Sequence, residues 1–382
     1  MKMKKTTMWK QLPAIASALA LLLALAACGA KQSASEPSAS GLKVMHEEEF
    51  GGVYIDLTID AFNDLGFVYG DGVTITFSNG YTLENIPYYS GYYTRAGEPL
   101  LVAYPGYPYI EACVDKGDSL WVLAGLSEGD RAEITLSERG AYLDIQNARN
   151  IRYEDDRALY ASDAVFANFR SVKAGTIQEN MLYRSASPCD NQHNRAPYVD
   201  ALMAAAGVDY ILDLADNEEK ILGYLGAPDF ESPYFLTLYE AGKVVPVALN
   251  VNYGSKEFRE KLAAGLTALS EYPGPYLVHC TEGKDRTGFV CMLLEALCGA
   301  SFDEIVADYM ITYDNYYGIT KQSDPEKYDI IVRDVLFPML SSVVGDDKVD
   351  LASADLAVYA ERFLTDAGMS SEQIGRLKER LQ

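Results

Sequence analysis

The sequence predicts an α/β protein: a mainly parallel sheet flanked by helices, preceded by a smaller all-β, barrel-like part. Two patterns predict it. From about Val44 to Ile151, short β-branched and aromatic runs recur between turn residues. After about Arg152, short apolar runs alternate with stretches of helical spacing. A third observation bounds both: 382 residues, 49% hydrophobic and 23% charged, suit about two packed cores and exclude a disordered chain.

The first element is a leader. Lys2, Lys4, Lys5 and Lys10 precede an apolar run from Leu12 to Ala27, and small residues follow. That order describes a secretory signal over 1–27 rather than a membrane span. Its end, Leu25-Ala26-Ala27-Cys28, resembles a bacterial lipoprotein signal. The resemblance implies that Cys28 receives lipid, leaving the protein exported and lipid-anchored on the outer face of the bacterial cell membrane. The leader carries four lysines and no acid, so the rest of the chain is more acidic still, and the lipid alone would attach it. Residues 28–43, rich in Ser, Ala and Gly, read as a flexible tether.

The β-rich stretch spans 44–151. Val73–Phe77 reads as a strand, with Asn79-Gly80 as a hairpin turn. Leu100–Tyr104, Leu120–Leu123 and Ala132–Leu136 read as further strands. From Gly72 through Gly117 the sequence is loosely similar to the small C-terminal β-barrel of S-adenosylmethionine hydroxide adenosyltransferases. No catalytic motif and no ligand come with that likeness.

The α/β stretch spans 152–382. Its strands are Asp209–Leu214 and Tyr276–Val278, and its helices run over Pro197–Ala206, Phe258–Leu269 and Phe302–Ala307. Ligands of such sheets bind beyond the carboxyl ends of the strands. At one of those ends stands His279-Cys280-Thr281-Glu282-Gly283-Lys284-Asp285-Arg286-Thr287-Gly288, followed by a helix over Thr287–Leu297. A strand, a tight turn and a helix N-terminus gather several backbone N–H groups round one small volume suited to a phosphate dianion. Cys280 would face the helix dipole and the Arg286 guanidinium, both of which favour thiolate over thiol. Arg286 can grip two phosphate oxygens at once.

This loop resembles that of the bacterial secreted cysteine-dependent tyrosine and dual-specificity phosphatases: His-Cys, five residues, then Arg-Ser/Thr. His279, Cys280, Gly283, Arg286 and Thr287 occupy its defining positions, and Gly-Lys-Asp-Arg-Thr-Gly matches the bacterial branch. Leu182-Tyr183-Arg184-Ser185 and Leu212-Asp213-Leu214 look like that branch's upstream strands, although Ala215 stands where it often has arginine. The resemblance implies the cysteine-phosphatase fold and hydrolysis through a phosphocysteine formed on Cys280. It further implies a cradle made by Thr281, Glu282, Gly283, Lys284, Asp285 and Arg286, assistance from Thr287, and a loop-orienting role for His279. Asp285 and Asp216 compete as general acid, with Asp285 narrowly favoured. The leading function is a protein-tyrosine phosphatase with dual or phosphoinositide specificity as an extension. The alternatives are a phytase-like inositol-polyphosphate phosphatase and a non-catalytic phosphoprotein-binding scaffold. Partners are therefore a phosphorylated protein, small molecule or lipid.

Several classes are excluded. A nucleotide P-loop fails because Val278 and Asp285 stand where Gly and Ser or Thr are needed. His46, His193 and His279 offer no ligand spacing, so no metal and no cofactor are expected. Fifty-five acidic against 32 basic residues, a net charge of −23, argue against nucleic acid. Six cysteines are too few for a disulfide scaffold, though Cys189 is a candidate to trap an oxidised Cys280.

Overall fold

The structure, a computed structural model, describes residues 36–382 except 49, 96 and 347. The expected signal over 1–27, the lipidation site Cys28 and the tether as far as residue 35 lie outside the described residues. Among the described residues no helix is long and apolar enough to cross a membrane.

Seven strands close a barrel: β1 (Ser38–His46), β2 (Val53–Ile55), β3 (Gly72–Phe77), β4 (Thr82–Tyr89), β5 (Pro99–Val102), β6 (Ile110–Val114) and β7 (Arg131–Glu138). Their order around it is β1-β2-β6-β5-β4-β3-β7, antiparallel except for β4 beside β5. Alternation decides the faces. Val73, Ile75 and Phe77 of β3 point into the core with Ile110, Ala112 and Ile134, while Thr74 and Thr76 lie outside it. The Asn79-Gly80 hairpin forms as its sequence predicts, with Gly80 at φ 92° and the Asn79 side chain accepting from the Tyr81 amide.

Three sequence expectations need correction. The tether does not reach residue 43, because Ser38–Lys43 already belong to β1. Ser38 pairs with Thr135 and Ala39 with Ile134, and these backbone bonds close the barrel without needing large side chains. Leu120–Leu123 is a helical turn, not a strand. The Ser119 hydroxyl caps it by accepting from the Val122 amide, and only Leu120 is buried. The β-rich stretch also ends in a helix, Leu143–Arg149.

The second part is built on β8 (Arg170–Ser171), β9 (Leu182–Ser185), β10 (Tyr210–Asp213), β11 (Val244–Pro246) and β12 (Tyr276–His279), in the order β11-β10-β12-β9-β8. All but the edge strand β8 run parallel. The register places Asp213, His279 and Ser185 level, at the carboxyl ends of three adjacent strands. The helix that follows β12 starts at Asp285, two residues earlier than expected, and runs to Leu297; every residue from Thr287 onward is buried. It is the centre of the α/β core, which explains why all of its buried residues but Thr287 and Glu295 are apolar or small. The Phe302 helix is longer than its sequence suggests and runs to Tyr317. A Ser301–Glu304 capping box opens it and left-handed Gly318 ends it. Tyr309, Tyr313, Tyr316 and Tyr317 all sit on this helix.

Candidate active site

The loop from His279 to Arg286 joins β12 to the central helix, and four of its carbonyls are held by donors outside the loop. The Leu214 amide donates to the His279 carbonyl at 2.9 Å, and the Ser187 amide to that of Thr281 at 3.1 Å. The Tyr316 hydroxyl donates to the Glu282 carbonyl at 2.7 Å. Arg184 Nη2 and Asn168 Nδ2 donate to the Gly283 carbonyl at 3.1 and 3.2 Å. Carbonyls held on the outside leave the amides facing inward, and none of the amides from Thr281 to Arg286 has an acceptor among the described residues. The loop is thus a ring of donors ending in a helix N-terminus, the geometry that binds a dianion.

Gly283 makes the turn feasible. It has φ +68°, and a Cβ there would stand 2.2 Å from the Ser185 carbonyl oxygen. Cys280 is 3% exposed and packs at the edge of the α/β core, where β12 passes into the loop. Arg286 folds back toward the start of the loop, donating from Nη2 to Thr281 Oγ1 and from Nη1 to the Leu249 carbonyl, both at 3.3 Å. Thr287 is fully buried one residue further on, and its hydroxyl has no hydrogen-bond partner among the described residues.

Two carboxylates flank the Lys284 ammonium: Asp285 at 3.0 Å and Glu282 at 3.8 Å. Burial opposes the Lys284 charge, but Asp285, the Tyr317 and Tyr313 hydroxyls and Glu282 outweigh it and raise its pKa well above the ordinary value. Burial would raise the Asp285 pKa, yet the Lys284 ammonium and, further out, Lys116 and Arg149 hold it below the ordinary value. The Asp285 side chain remains 42% exposed. The structure therefore brings together Cys280, Thr281, Glu282, Gly283, Lys284, Asp285, Arg286 and Thr287.

Asp216 is placed elsewhere. It is 2% exposed, accepts from Tyr224 at 3.2 Å and lies 3.7 Å from Lys220. Its neighbour Asp213 accepts from the Ala215 and Asp216 amides, and burial pushes both carboxyls up to about 6. One oxygen of each and Cys189 Sγ lie within 4.8 Å of one another. His279 closes this cluster, with Nε2 4.0 Å from Asp213, and burial lowers its pKa to about 4, so it is neutral. Burial and Asp213 push the Cys189 thiol well up, which works against its reading as a resolving thiolate.

Residues 163–382 match the model of the tyrosine phosphatase family. The chain belongs to that family. It is 42% identical over 59 residues to a Cupriavidus necator protein named for tyrosine-protein phosphatase activity, H16_A0669, a stretch covering 15% of this chain and 22% of that one. It is 32% identical over 117 residues to the triple specificity protein phosphatase PtpB of Mycobacterium tuberculosis, covering 27% and 42%. The chain thus spans less than half the length of either relative. Among solved structures, the core catalytic domain of the Saccharomyces cerevisiae PP-IP phosphatase SIW14 is 19% identical, with a TM-score of 0.27, 46% of this chain and 91% of that one covered.

Sequence reasoning missed the frame that holds this tyrosine-phosphatase loop. Arg184, 1% exposed, donates to Asp308 at 2.6 Å as well as to Gly283. Arg170 donates to Asp308 at 3.0 Å and to Asn168 at 2.7 Å. Burial would raise the Asp308 pKa, and the two guanidiniums hold it far below the usual carboxylate range. The Tyr-Arg-Ser strand motif was the available signal for Arg184; nothing nearby in sequence marks Asp308. Tyr253 was also missed. Its ring stacks on Phe289 with centroids 4.6 Å apart, and burial, then Asp285 and Cys280, push its phenol up, which places it beside the loop.

Proposed function

We propose that the protein is a phosphomonoesterase working through a phosphocysteine, with phosphotyrosyl proteins as the leading substrate class. The observation that supports it most is the outward-held carbonyl ring around Cys280 and Arg286. Cys280 thiolate attacks phosphorus in line: the S–P bond forms, the P–O ester bond breaks, and the leaving oxygen takes a proton from a carboxyl. Water then attacks phosphorus, the S–P bond breaks and inorganic phosphate leaves, with the carboxylate taking the water's proton. The inward amides and Arg286 stabilise charge on the equatorial oxygens, and the Thr287 hydroxyl stabilises the departing thiolate.

Asp285 is the better general acid on position, because its side chain stays accessible whereas Asp216 is enclosed. Proton affinity points the other way in the free protein, since Lys284 keeps Asp285 ionised. A bound dianion beside Asp285 reverses this by like-charge repulsion, raising its pKa in the complex. Dual and phosphoinositide specificity belong to the same proposal, with Lys284 adding charge beside the reacting phosphate. Export with lipid on Cys28 is likewise proposed; Cys28→Ser should move the protein from the detergent to the aqueous phase on partitioning.

The deciding experiment is acid-quench trapping during turnover of a phosphotyrosyl peptide. A phosphate bound through sulfur is expected in the parent and absent in Cys280→Ser, with turnover lost. Turnover by Cys280→Ser at the parent rate would refute the mechanism.

A further inference from the structure

The segment that leads into the sheet reaches the phosphate loop through one side chain. Asn168 follows the short helix Asp163–Phe166 and precedes β8. It is fully buried, and its backbone is left-handed with φ +51°, a conformation that Asn, Asp and Gly adopt at low cost. All four hydrogen-bonding positions of its carboxamide are used. Nδ2 donates to the Gly283 carbonyl at 3.2 Å and to Thr312 Oγ1 at 3.1 Å. Oδ1 accepts from Arg170 Nη1 at 2.7 Å and from Asn315 Nδ2 at 3.0 Å.

These partners fix which way the amide points. A guanidinium only donates, so Oδ1 must face Arg170, and Nδ2 is thereby turned on the loop. The flipped amide would set donor against donor at Arg170 and oxygen against oxygen at Gly283. The effect passes through one peptide bond. Gly283–Lys284 is trans, so its C=O and N–H point opposite ways, and a carbonyl held from outside aims the Lys284 amide into the loop. That amide has no acceptor among the described residues. Arg184 shares the Gly283 carbonyl but is also tied to Asp308. Asn168 instead ties it to the Phe302–Tyr317 helix through Thr312 and Asn315, and Asn315 is next to Tyr316, the donor to the preceding loop carbonyl.

We infer that Asn168 is a positioning residue for the reaction: by holding the Gly283 carbonyl it aims the Lys284 amide at an equatorial oxygen of the transferring phosphoryl group, and Asn315 helps to set its amide. The inference rests on the phosphatase reading of the Cys280 loop. Asn168 supplies no proton, so its loss should slow good and poor leaving groups alike, unlike the loss of a general acid.

Asn168→Asp isolates the donor. Aspartate keeps the left-handed backbone and still accepts from Arg170 and Asn315, but it turns an oxygen on the Gly283 carbonyl. Its kcat should fall by about ten- to a hundredfold on both p-nitrophenyl phosphate and an alkyl phosphate, with KM little changed. Inhibition by vanadate, a mimic of five-coordinate phosphorus, should weaken in step with kcat while the melting temperature stays near that of the parent. A folded variant with parent-like kcat and vanadate affinity overturns the inference, as does a lower melting temperature with both unchanged per folded molecule. Should Asn168→Asp fail to fold, Asn168→Gly keeps the backbone, removes the donor and should lose about tenfold in kcat. Should neither fold, Asn315→Ala decides, with a loss of about threefold in kcat expected and an unchanged kcat overturning the inference. A parent inactive on p-nitrophenyl phosphate would instead refute the phosphatase reading, so the two failures are distinct.

Discussion

At the scale of single residues, the loop's chemistry depends on backbone direction more than on side chains. Gly283 is the test. A methyl group there would meet the Ser185 carbonyl oxygen at 2.2 Å, and a backbone atom of a central strand cannot swing aside. Gly283→Ala should therefore turn the loop amides off the phosphate and lower kcat on p-nitrophenyl phosphate by about 10²–10³, the cost of losing a preorganised donor. Steady-state kinetics beside a melting curve would separate this from unfolding; parent-like kcat in a folded variant would contradict the ring of inward amides. The two acid candidates part on leaving-group dependence. Asp285→Asn should slow an alkyl phosphate by about 10²–10⁴ and p-nitrophenyl phosphate far less, because a good leaving group needs no proton. Asp216→Asn should affect both substrates equally. The reverse pattern would transfer the acid role to Asp216.

At the scale of elements, the loop is held by β9 and by the Phe302–Tyr317 helix. Arg184 of β9 bridges the Gly283 carbonyl and Asp308, while Tyr316 holds the Glu282 carbonyl from the same helix. Arg184→Met would leave Asp308 buried with Arg170 as its one guanidinium partner. A loss of about 3–5 kcal/mol is expected, read from the denaturant midpoint, with activity falling in parallel. A cost below 1 kcal/mol would show the pair to be incidental. What was legible in the sequence follows from the same anatomy. Cys280, Gly283 and Arg286 lie within seven positions, so a local pattern displays them, and the alternation of strands and helices displays the α/β layer. Asn168 and Tyr253 come from distant elements and Asp308 reaches the loop only through Arg184, relations of the folded chain that no local spacing records. Leu120–Leu123 misled because a short apolar run fits a strand and a capped turn equally well, and the Ser119 hydroxyl decided between them. Ser38–Lys43 misled for the opposite reason, since barrel closure there depends on backbone pairing that composition does not show.

At the scale of the whole molecule, two sets of buried carboxyls set opposite pH responses. Asp308, held low by two guanidiniums, contributes stability that is present above the unfolded carboxyl value of about 4 and lost as pH falls through its lower folded value. Asp213 and Asp216 act in reverse. Burial raises both to about 6, so between pH 4 and 6 the folded state holds more protons than the unfolded one. Stability must therefore fall as pH rises through that window and then stay lower. Asp213→Asn isolates the effect, because its amide oxygen can still accept from the Ala215 and Asp216 amides while the charge is gone. At pH 8 the variant should be more stable than the parent by roughly 1–3 kcal/mol, and at pH 4 the two should coincide. Urea titrations at both values measure it. A variant that is less stable at pH 8, or equally shifted at both, would mean that the Asp213 charge is compensated in the fold. The cluster behind His279 would then stabilise the loop as a charged network rather than as a protonated one.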